Sequence, residues 1–418
     1  MIDRQKAPKV QTIDQLNFVT PKKTVLTDTV NAYSLDGVGV DAFKLELVFK
    51  AGAIYERKLI AKLTSDLLFT GTKTKSSDEL DEAIERLGGF LGVDVTSETA
   101  TVSLFGLVEY FEPLTKIIVD AIDGVVFPEK EMRQTVQFYE QKFLVSKKKV
   151  AVQARRKFLS IILEPTSYAN QIIEDDFLLV HRDDIINFYK KHYLKGLEKV
   201  SLVGDIDKTA FASFLSTVKP WVNEGKFNND FSFPAKSEEV YIEKEDAVQS
   251  AIRVGKVLFN RTHEEYPSFA VLNTLLGGYF GSRLMKNLRE DKGYTYGIGS
   301  GIAQFLPTGY FFISTEVGKN VREKALNEIK IEIERLQNEK VEQDELEMVK
   351  SYMIGKLLEG SDGSFAMMNR FLAVENYGLD FSYYDRFLKT IQTIEADDLQ
   401  KLAQRHLKWE DLTKVTVG

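Results

Sequence analysis

The sequence predicts an α+β fold in which one unit is used twice, and three observations carry this. At 418 residues the chain exceeds what one core ordinarily organises, so two domains are expected. Both halves follow the same succession of strands, helix, Gly-Gly, strand pair and helices. Gly88-Gly89 closes a helical stretch in the first half and Gly277-Gly278 closes one in the second. Between the halves, residues 219–236 (KPWVNEGKFNNDFSFPAK) carry two Pro, three Asn and one Gly without a hydrophobic period, the composition of a linker. The expected division is therefore a first domain over 1–218, a linker over 219–238 and a second domain over 239–418.

Taken in order, residues 22–33 and 41–50 read as strands joined by a turn at Asp36-Gly37-Val38-Gly39. In the second strand Leu45, Leu47 and Phe49 alternate with Lys44, Glu46 and Val48, the period of a half-buried strand. A helix over 57–69 closes at Gly71-Thr72. Ser76 followed by Asp78 and Glu79 starts the next, which stops at Gly88-Gly89. Residues 90–97 and 100–107 form a hairpin, 114–125 a helix, and Pro128 opens a long polar helix to about Phe158. Helices over 182–191 and 211–218 flank a strand at 199–203, which ends in the turn Gly204-Asp205. The second half reads as strands at 240–243, 250–258, 309–315 and 412–417. Its helices lie at 266–276, 321–338, 343–358, 365–377 and 396–406.

Composition narrows the function. Apolar residues make up 44% and charged residues 28%, as in a soluble globular protein. A net charge of −7 argues against nucleic acid as the principal partner. Cys is absent, which removes disulfides and thiolate metal sites and fits a reducing compartment. The first 18 residues lack the apolar core of a secretory signal, and no stretch approaches a membrane span. The expected location is the cytoplasm, or the periplasm if a leader has been removed. The four His (His181, His192, His263 and His406) make no ligand set. His181 and His192 can share a helix face, yet they would stand roughly 16 Å apart. No G-x-S-x-G motif is present. The run Lys147-Lys148-Lys149 and Arg155-Arg156-Lys157 reads as a solvated face or as an attractor of acidic substrate.

The most informative stretch is 275–301, LLGGYFGSRLMKNLREDKGYTYGIGSG. It reads as a helix end, a Gly-rich loop, a helix carrying Arg283 and Arg289, and a strand holding Tyr296. A guanidinium and a phenol brought together here can donate hydrogen bonds to a peptide carbonyl. By spacing alone, Arg289 reads as a solvated helix residue and Tyr296 as a core strand aromatic. Gly277, Gly278 and Ser282 read as a tightly packed turn or as substrate contacts. The segment lacks the Gly-Lys-Ser/Thr ending and the preceding strand of a phosphate loop.

SRLMKNLREDKGYTYGIGSG resembles the C-terminal-domain signature of the pitrilysin/insulinase family of zinc metallopeptidases, in its mitochondrial-processing-peptidase-like branch. Residues 51–100, with Phe69-Thr70-Gly71-Thr72 and Leu87-Gly88-Gly89, are similar to that family's catalytic stretch. The resemblance implies two similar domains, each an antiparallel or mixed sheet with helices packed on one face, together forming half of a clamshell. It also implies that Arg289 and Tyr296 hold the substrate backbone.

The family's H-x-x-E-H helix binds zinc through two His, and its Glu activates water. Those positions here are Lys62, Ser65 and Asp66, and the third-ligand position falls near Lys142, with Glu140 close by. An ammonium repels Zn²⁺ and offers no lone pair. The resemblance thus implies a non-catalytic subunit with no cofactor of its own. It would complete the substrate chamber of a homologous H-x-x-E-H partner that carries the zinc, with peptide or unfolded polypeptide as substrate. The other reading is a scaffold or peptide-binding protein without a peptidase partner.

Overall fold

The computed structural model describes residues 13, 15–37, 39–222 and 231–418. Val38 of the expected turn, residues 223–230 of the expected linker, and residues 1–12 and 14 of the N-terminal stretch lie outside them. The first half contains β1 (Lys22–Val25), β2 (Asn31–Leu35), β3 (Ala42–Phe49), α1 (Lys58–Asp66), α2 (Ser77–Glu85), β4 (Phe90–Val95), β5 (Ala100–Leu107), α3 (Phe111–Gly124), α4 (Glu129–Ser146), α5 (Val150–Ile162), α6 (Asp175–Leu178), α7 (Arg182–His192), β6 (Leu197–Val203) and α8 (Lys208–Val218). The second half contains β7 (Glu239–Ile242), β8 (Gln249–Leu258), α9 (Tyr266–Asn273), two π-helical segments (Thr274–Gly278 and Met285–Asp291), β9 (Ile298–Gln304), β10 (Gly309–Gly318), α10 (Arg322–Asn338), α11 (Gln343–Glu359), α12 (Gly363–Glu375), α13 (Ser382–Thr393), α14 (Ala396–His406) and β11 (Thr413–Val417).

The duplication is visible in the strand order. The first sheet runs β1-β2-β6-β3-β5-β4 and the second β7-β11-β8-β10-β9. Without its extra edge strand β1, the first sheet has the connectivity of the second. Each has one parallel pair, β2 with β6 and β7 with β11, and antiparallel pairs elsewhere. The two Gly-Gly pairs are not equivalent within this repeat. Gly277-Gly278 follows the first helix after β8, whereas Gly88-Gly89 follows the second helix after β3. Gly293, with φ +62°, is the counterpart of Gly88, with φ +65°. Both end a helical segment in the left-handed conformation that glycine adopts without steric cost.

The strand periods divide each sheet into two faces. Phe43, Leu45, Leu47 and Phe49 of β3 are all buried beneath α1, α3 and α7. In the second half Ile252, Val254, Phe311 and Ile313 pack beneath α9, α10 and α14 in the same way. The other faces are covered reciprocally. Ala154, Phe158, Ile161 and Ile162 of α5, from the first half, pack against Ala251, Tyr310, Val415 and Val417 of the second sheet. Met368, Phe371 and Val374 of α12, with Tyr383 and Tyr384 of α13, pack against Tyr33, Leu35 and Val203 of the first sheet. Each sheet therefore has helices of its own half on one face and borrowed helices on part of the other.

A polar network runs along this seam. Lys199, 8% exposed, is ion-paired with Glu375 and donates to Asn376. The Tyr33 hydroxyl donates to Glu375 Oε1 at 2.7 Å. Glu98, at the tip of the β4–β5 hairpin, accepts from the Tyr168 hydroxyl and from the Leu306 amide, both at 2.6 Å. Burial pushes the Glu98 carboxyl above its ordinary range.

Four local expectations are corrected. The stretch 22–33 is two strands, because residues 26–30 turn back through Leu26 N–H to Val30 O at 3.0 Å, with the Thr27 hydroxyl capping Thr29 N–H. The long helix from Pro128 breaks after Ser146, where Lys149 is extended (φ −79°, ψ 127°). That break lets α4 stay on the first half while α5 crosses to the second sheet. Helix α13 was not expected, although Tyr384, Leu388 and Ile391 make a buried helical face and Asp380 caps Ser382 N–H at 2.9 Å. Tyr296 lies in a loop before β9, not in a strand.

Truncating Glu375 to Ala leaves the Lys199 ammonium buried without its carboxylate. We expect urea unfolding to lose about 2–3 kcal/mol. His192 is 1% exposed, its Nδ1–H donates to Lys50 O at 2.5 Å, and burial holds its pKa below the ordinary imidazole value. The unfolded chain then binds this proton more readily than the folded one. Stability contributed here is present above pH of about 6.5 and is lost as pH falls below it. Urea midpoints measured from pH 7 to pH 5 should fall, and His192→Gln should flatten that part of the profile.

Candidate functional site

The π-helical segment Met285–Asp291 is anchored on its inner side. Leu284 and Leu288 are fully buried, and the Asn287 amide donates to Glu332 Oε1 at 2.7 Å and Glu328 Oε2 at 3.1 Å. Arg283 is consumed structurally by a bidentate pair with Glu345 at 2.9 and 2.7 Å. Arg289 is left on the outer side. Its guanidinium carbon lies 4.8 Å from the Phe280 ring centre and 5.1 Å from the Tyr296 ring centre. Tyr296 is 90% exposed, which overturns the core-aromatic expectation. Its loop is held by the Thr315 hydroxyl, which donates to Gly297 O at 3.0 Å, and by the Gly297 amide, which donates to the Thr295 hydroxyl at 3.0 Å. Sequence reasoning brought Arg289 and Tyr296 together but missed Phe280. Its signal was an aromatic in a Gly-rich turn with no period to bury it.

The expected substrate contacts divide. Gly277 is buried, and a Cβ there would meet Ser300 N and Oγ at 2.7 Å, so close packing on β9 requires glycine. Ser282 is 1% exposed and its hydroxyl has no hydrogen-bond partner among the described residues. Both are corrected to packing positions, and Gly278 alone of the three is exposed.

The zinc-motif positions lie on α1 and have been converted to a self-contained cluster. Lys62 Nζ is 3.6 Å from Asp66 Oδ2, one helical turn away. The Tyr139 hydroxyl of α4 donates to the same carboxylate, and Lys62 Nζ lies 5.1 Å from the centre of the Tyr139 ring. Burial opposes charge on Lys62, but Tyr139 and Asp66 outweigh it and raise the ammonium pKa. Burial, then the bond to Asp66, raises the Tyr139 phenol. Ser65 faces the core, where its hydroxyl meets the Tyr193 hydroxyl at 2.6 Å. Lys142 is exposed, with its ammonium 5.8 Å from the Phe138 ring centre. Tyr139, one turn earlier, is the α4 residue that reaches the pair. Among the described residues no group of three His, Cys, Asp or Glu side chains could hold a metal. A cation already satisfied by a carboxylate and a phenol does not fit zinc.

Tyr296 also lines a cleft of about 550 Å³ between α5 and the face of β8 and β10, where Arg155, Arg253 and Glu316 carry the charges. At the head of α1, Lys58 is pulled down to about 8 by burial first and by Arg155 and Arg156 next. Helix α5 thus connects the field around α1 to the cleft beside Tyr296. For the α1 cluster, added Zn²⁺ should leave the thermal midpoint unmoved, while Tyr139→Phe should cost about 1–2 kcal/mol in urea unfolding.

Comparison with known proteins agrees with this geometry. The chain matches the family described as Insulinase (Peptidase family M16) over residues 39–176, and that described as Peptidase M16 inactive domain over residues 180–353. It is 24% identical over 379 residues to an uncharacterized zinc protease of Rickettsia felis, covering 88% of this chain and 90% of that one. It is 21% identical over 388 residues to a Helicobacter pylori protein named a non-peptidase homolog, YmxG, covering 90% and 88%. The crystal structure of a peptidase M16 inactive domain from Pseudomonas fluorescens has the same fold. Its TM-score is 0.86 at 21% identity, over 96% of this chain and 98% of that one. With Lys62, Ser65 and Asp66 where the active enzymes carry H-x-x-E-H, this chain belongs to the pitrilysin/insulinase family of zinc metallopeptidases as a catalytically inactive member.

Proposed function

We propose that this chain is the non-catalytic subunit of a heterodimeric zinc metallopeptidase of the processing-peptidase type. It completes the substrate chamber and positions the peptide with Arg289 and Tyr296 for hydrolysis on the zinc of a homologous H-x-x-E-H partner. The observation that supports this most is the contrast between the two sites. The zinc positions are closed by Lys62, Asp66 and Tyr139, while Arg289 and Tyr296 are held together with the phenol exposed. Tyr296 would donate to the scissile carbonyl oxygen as charge develops there, and Arg289 would donate to a neighbouring backbone carbonyl. The stack on Phe280 limits the motion of the guanidinium, so less freedom is lost when substrate binds. Among the described residues no helix is long and apolar enough to cross a membrane. The composition of this chain, without Cys, fits a reducing compartment, and the cytoplasm is the location we propose for it.

The second reading, a peptide-binding or scaffold protein without a peptidase partner, is favoured by β4. Among the described residues this strand is an edge of the first sheet, and its Phe90 is 66% exposed. An extended peptide could add there as a further strand.

Native affinity purification of the tagged chain from its own cells tests the choice. A co-purifying chain of similar size with H-x-x-E-H supports the subunit reading, and recovery alone or with unrelated proteins supports the second. In the assembled pair, Tyr296→Phe should lower kcat by about 10²–10³, the loss typical of one such donor. Unchanged turnover would remove the assisting role.

A further inference from the structure

The cleft beside Tyr296 holds more positive charge than its own chain neutralises. Arg253 lies on the face of β8 that α5 covers, and its guanidinium carbon is 4.6 Å from the Phe312 ring centre and 6.0 Å from that of Phe158. Its Nε and Nη1 are buried and have no hydrogen-bond partner among the described residues. The guanidinium thus lies over two aromatic rings. Arg155, one residue after buried Ala154 on α5, is exposed and lines the same cleft. Ser314 pairs directly with Arg253 across β8 and β10 and adds a hydroxyl to the lining. Neither arginine is in a salt bridge among the described residues. Glu316, which also lines the cleft, is exposed and is ion-paired with neither.

The electrostatic consequences agree with this arrangement. Burial lowers the Arg253 pKa, and Arg155 lowers it further against an opposing effect of Tyr310. Lys58 is pulled down by burial and by Arg155 and Arg156. These cations repel one another on a chain whose total charge is −7. A cluster of like charges at a half-enclosed site is destabilising until an anion enters it, and a guanidinium fork suits a carboxylate.

We propose that this cleft is a carboxylate subsite of the peptide chamber, in which Arg155 and Arg253 receive an acidic side chain or the terminal carboxylate of the bound peptide. The proposal rests on the chamber being a peptide-binding one and adds a preference for acidic sequence. Arg155 and Arg253 are specificity residues here and take no part in bond cleavage.

The test uses the full chain and fluorescence anisotropy. The probes are a short unstructured peptide carrying several Glu and its Gln counterpart, each with a free and an amidated C-terminus. At low salt the Glu peptide should bind about tenfold more tightly than the Gln peptide, and added salt should shrink the difference. A preference kept after amidation assigns the side chain as the source, and one that follows the free terminus assigns the terminal carboxylate. Arg155→Gln, at an exposed position, should reduce the preference to about twofold or less, as should Arg253→Gln. Equal binding of all the peptides, or a preference untouched by Arg155→Gln, overturns the subsite. Failure of every peptide to bind also overturns it for this chain, and the subunit reading is still judged separately by the co-purification.

Discussion

The exchange of helices between the two halves is the constraint on which the rest depends. A sheet buries apolar side chains on whichever face is covered, and here each half covers part of the other's second face. Phe158 and Ile161 of α5 lie on the second sheet, while Phe371 and Val374 of α12 lie on the first. Burial of this kind is worth roughly 1.5–3 kcal/mol per large apolar side chain. The seam also carries Lys199, Glu375 and Tyr33, which meet across the two halves, with Asn376 taking a further hydrogen bond from Lys199. Sliding one half against the other would leave them desolvated and unpaired, so the network sets the register of the halves as well as adding to their contact.

That register creates the chamber-facing chemistry. Because α5 leaves the first half and crosses the second sheet, Arg155 comes to the same cleft as Arg253 and Tyr296. The break at Lys149 makes the crossing possible. In the second half, anchoring of Asn287 and Arg283 into α10 and α11 commits the inner face of the π-helical segment to structure. Arg289 is left off that inner face, with its guanidinium over the Phe280 and Tyr296 rings. A π-helical segment at a working surface is a recurrent arrangement, since its altered side-chain spacing re-aims residues that a regular helix would direct elsewhere.

The zinc-motif positions show how a metal site can be lost without loss of fold. Removing ligands from a half-buried position normally leaves a hole in the charge balance. Here an ammonium and a carboxylate one turn apart neutralise each other, and a phenol from α4 takes up a further lone pair of the carboxylate. Ser65 has been turned inward to Tyr193, which ties α1 to the first core. The helix thus keeps its packing role while its solvent-side residues no longer offer the lone pairs a divalent cation needs.

Sequence alone determined the duplicated α+β architecture and the absence of the zinc triple, and its motifs carried the family resemblance that implied the pairing of Arg289 with Tyr296. The first two are written in local periods or in residue identities at fixed spacing. The alternation of Leu45, Leu47 and Phe49 needs no distant partner to be read, nor does an ammonium at a ligand position. Tertiary structure alone decided the matters that depend on what lies opposite. It buried Gly277 and Ser282 and exposed Tyr296. It brought Tyr139, not Lys142, to Lys62 and Asp66. It also placed Arg155 and Arg253, 98 residues apart in the chain, in one cleft. Burial, charge neutralisation and cleft formation are properties of the surfaces that meet, and long-range packing chooses those surfaces only once both halves have folded against each other.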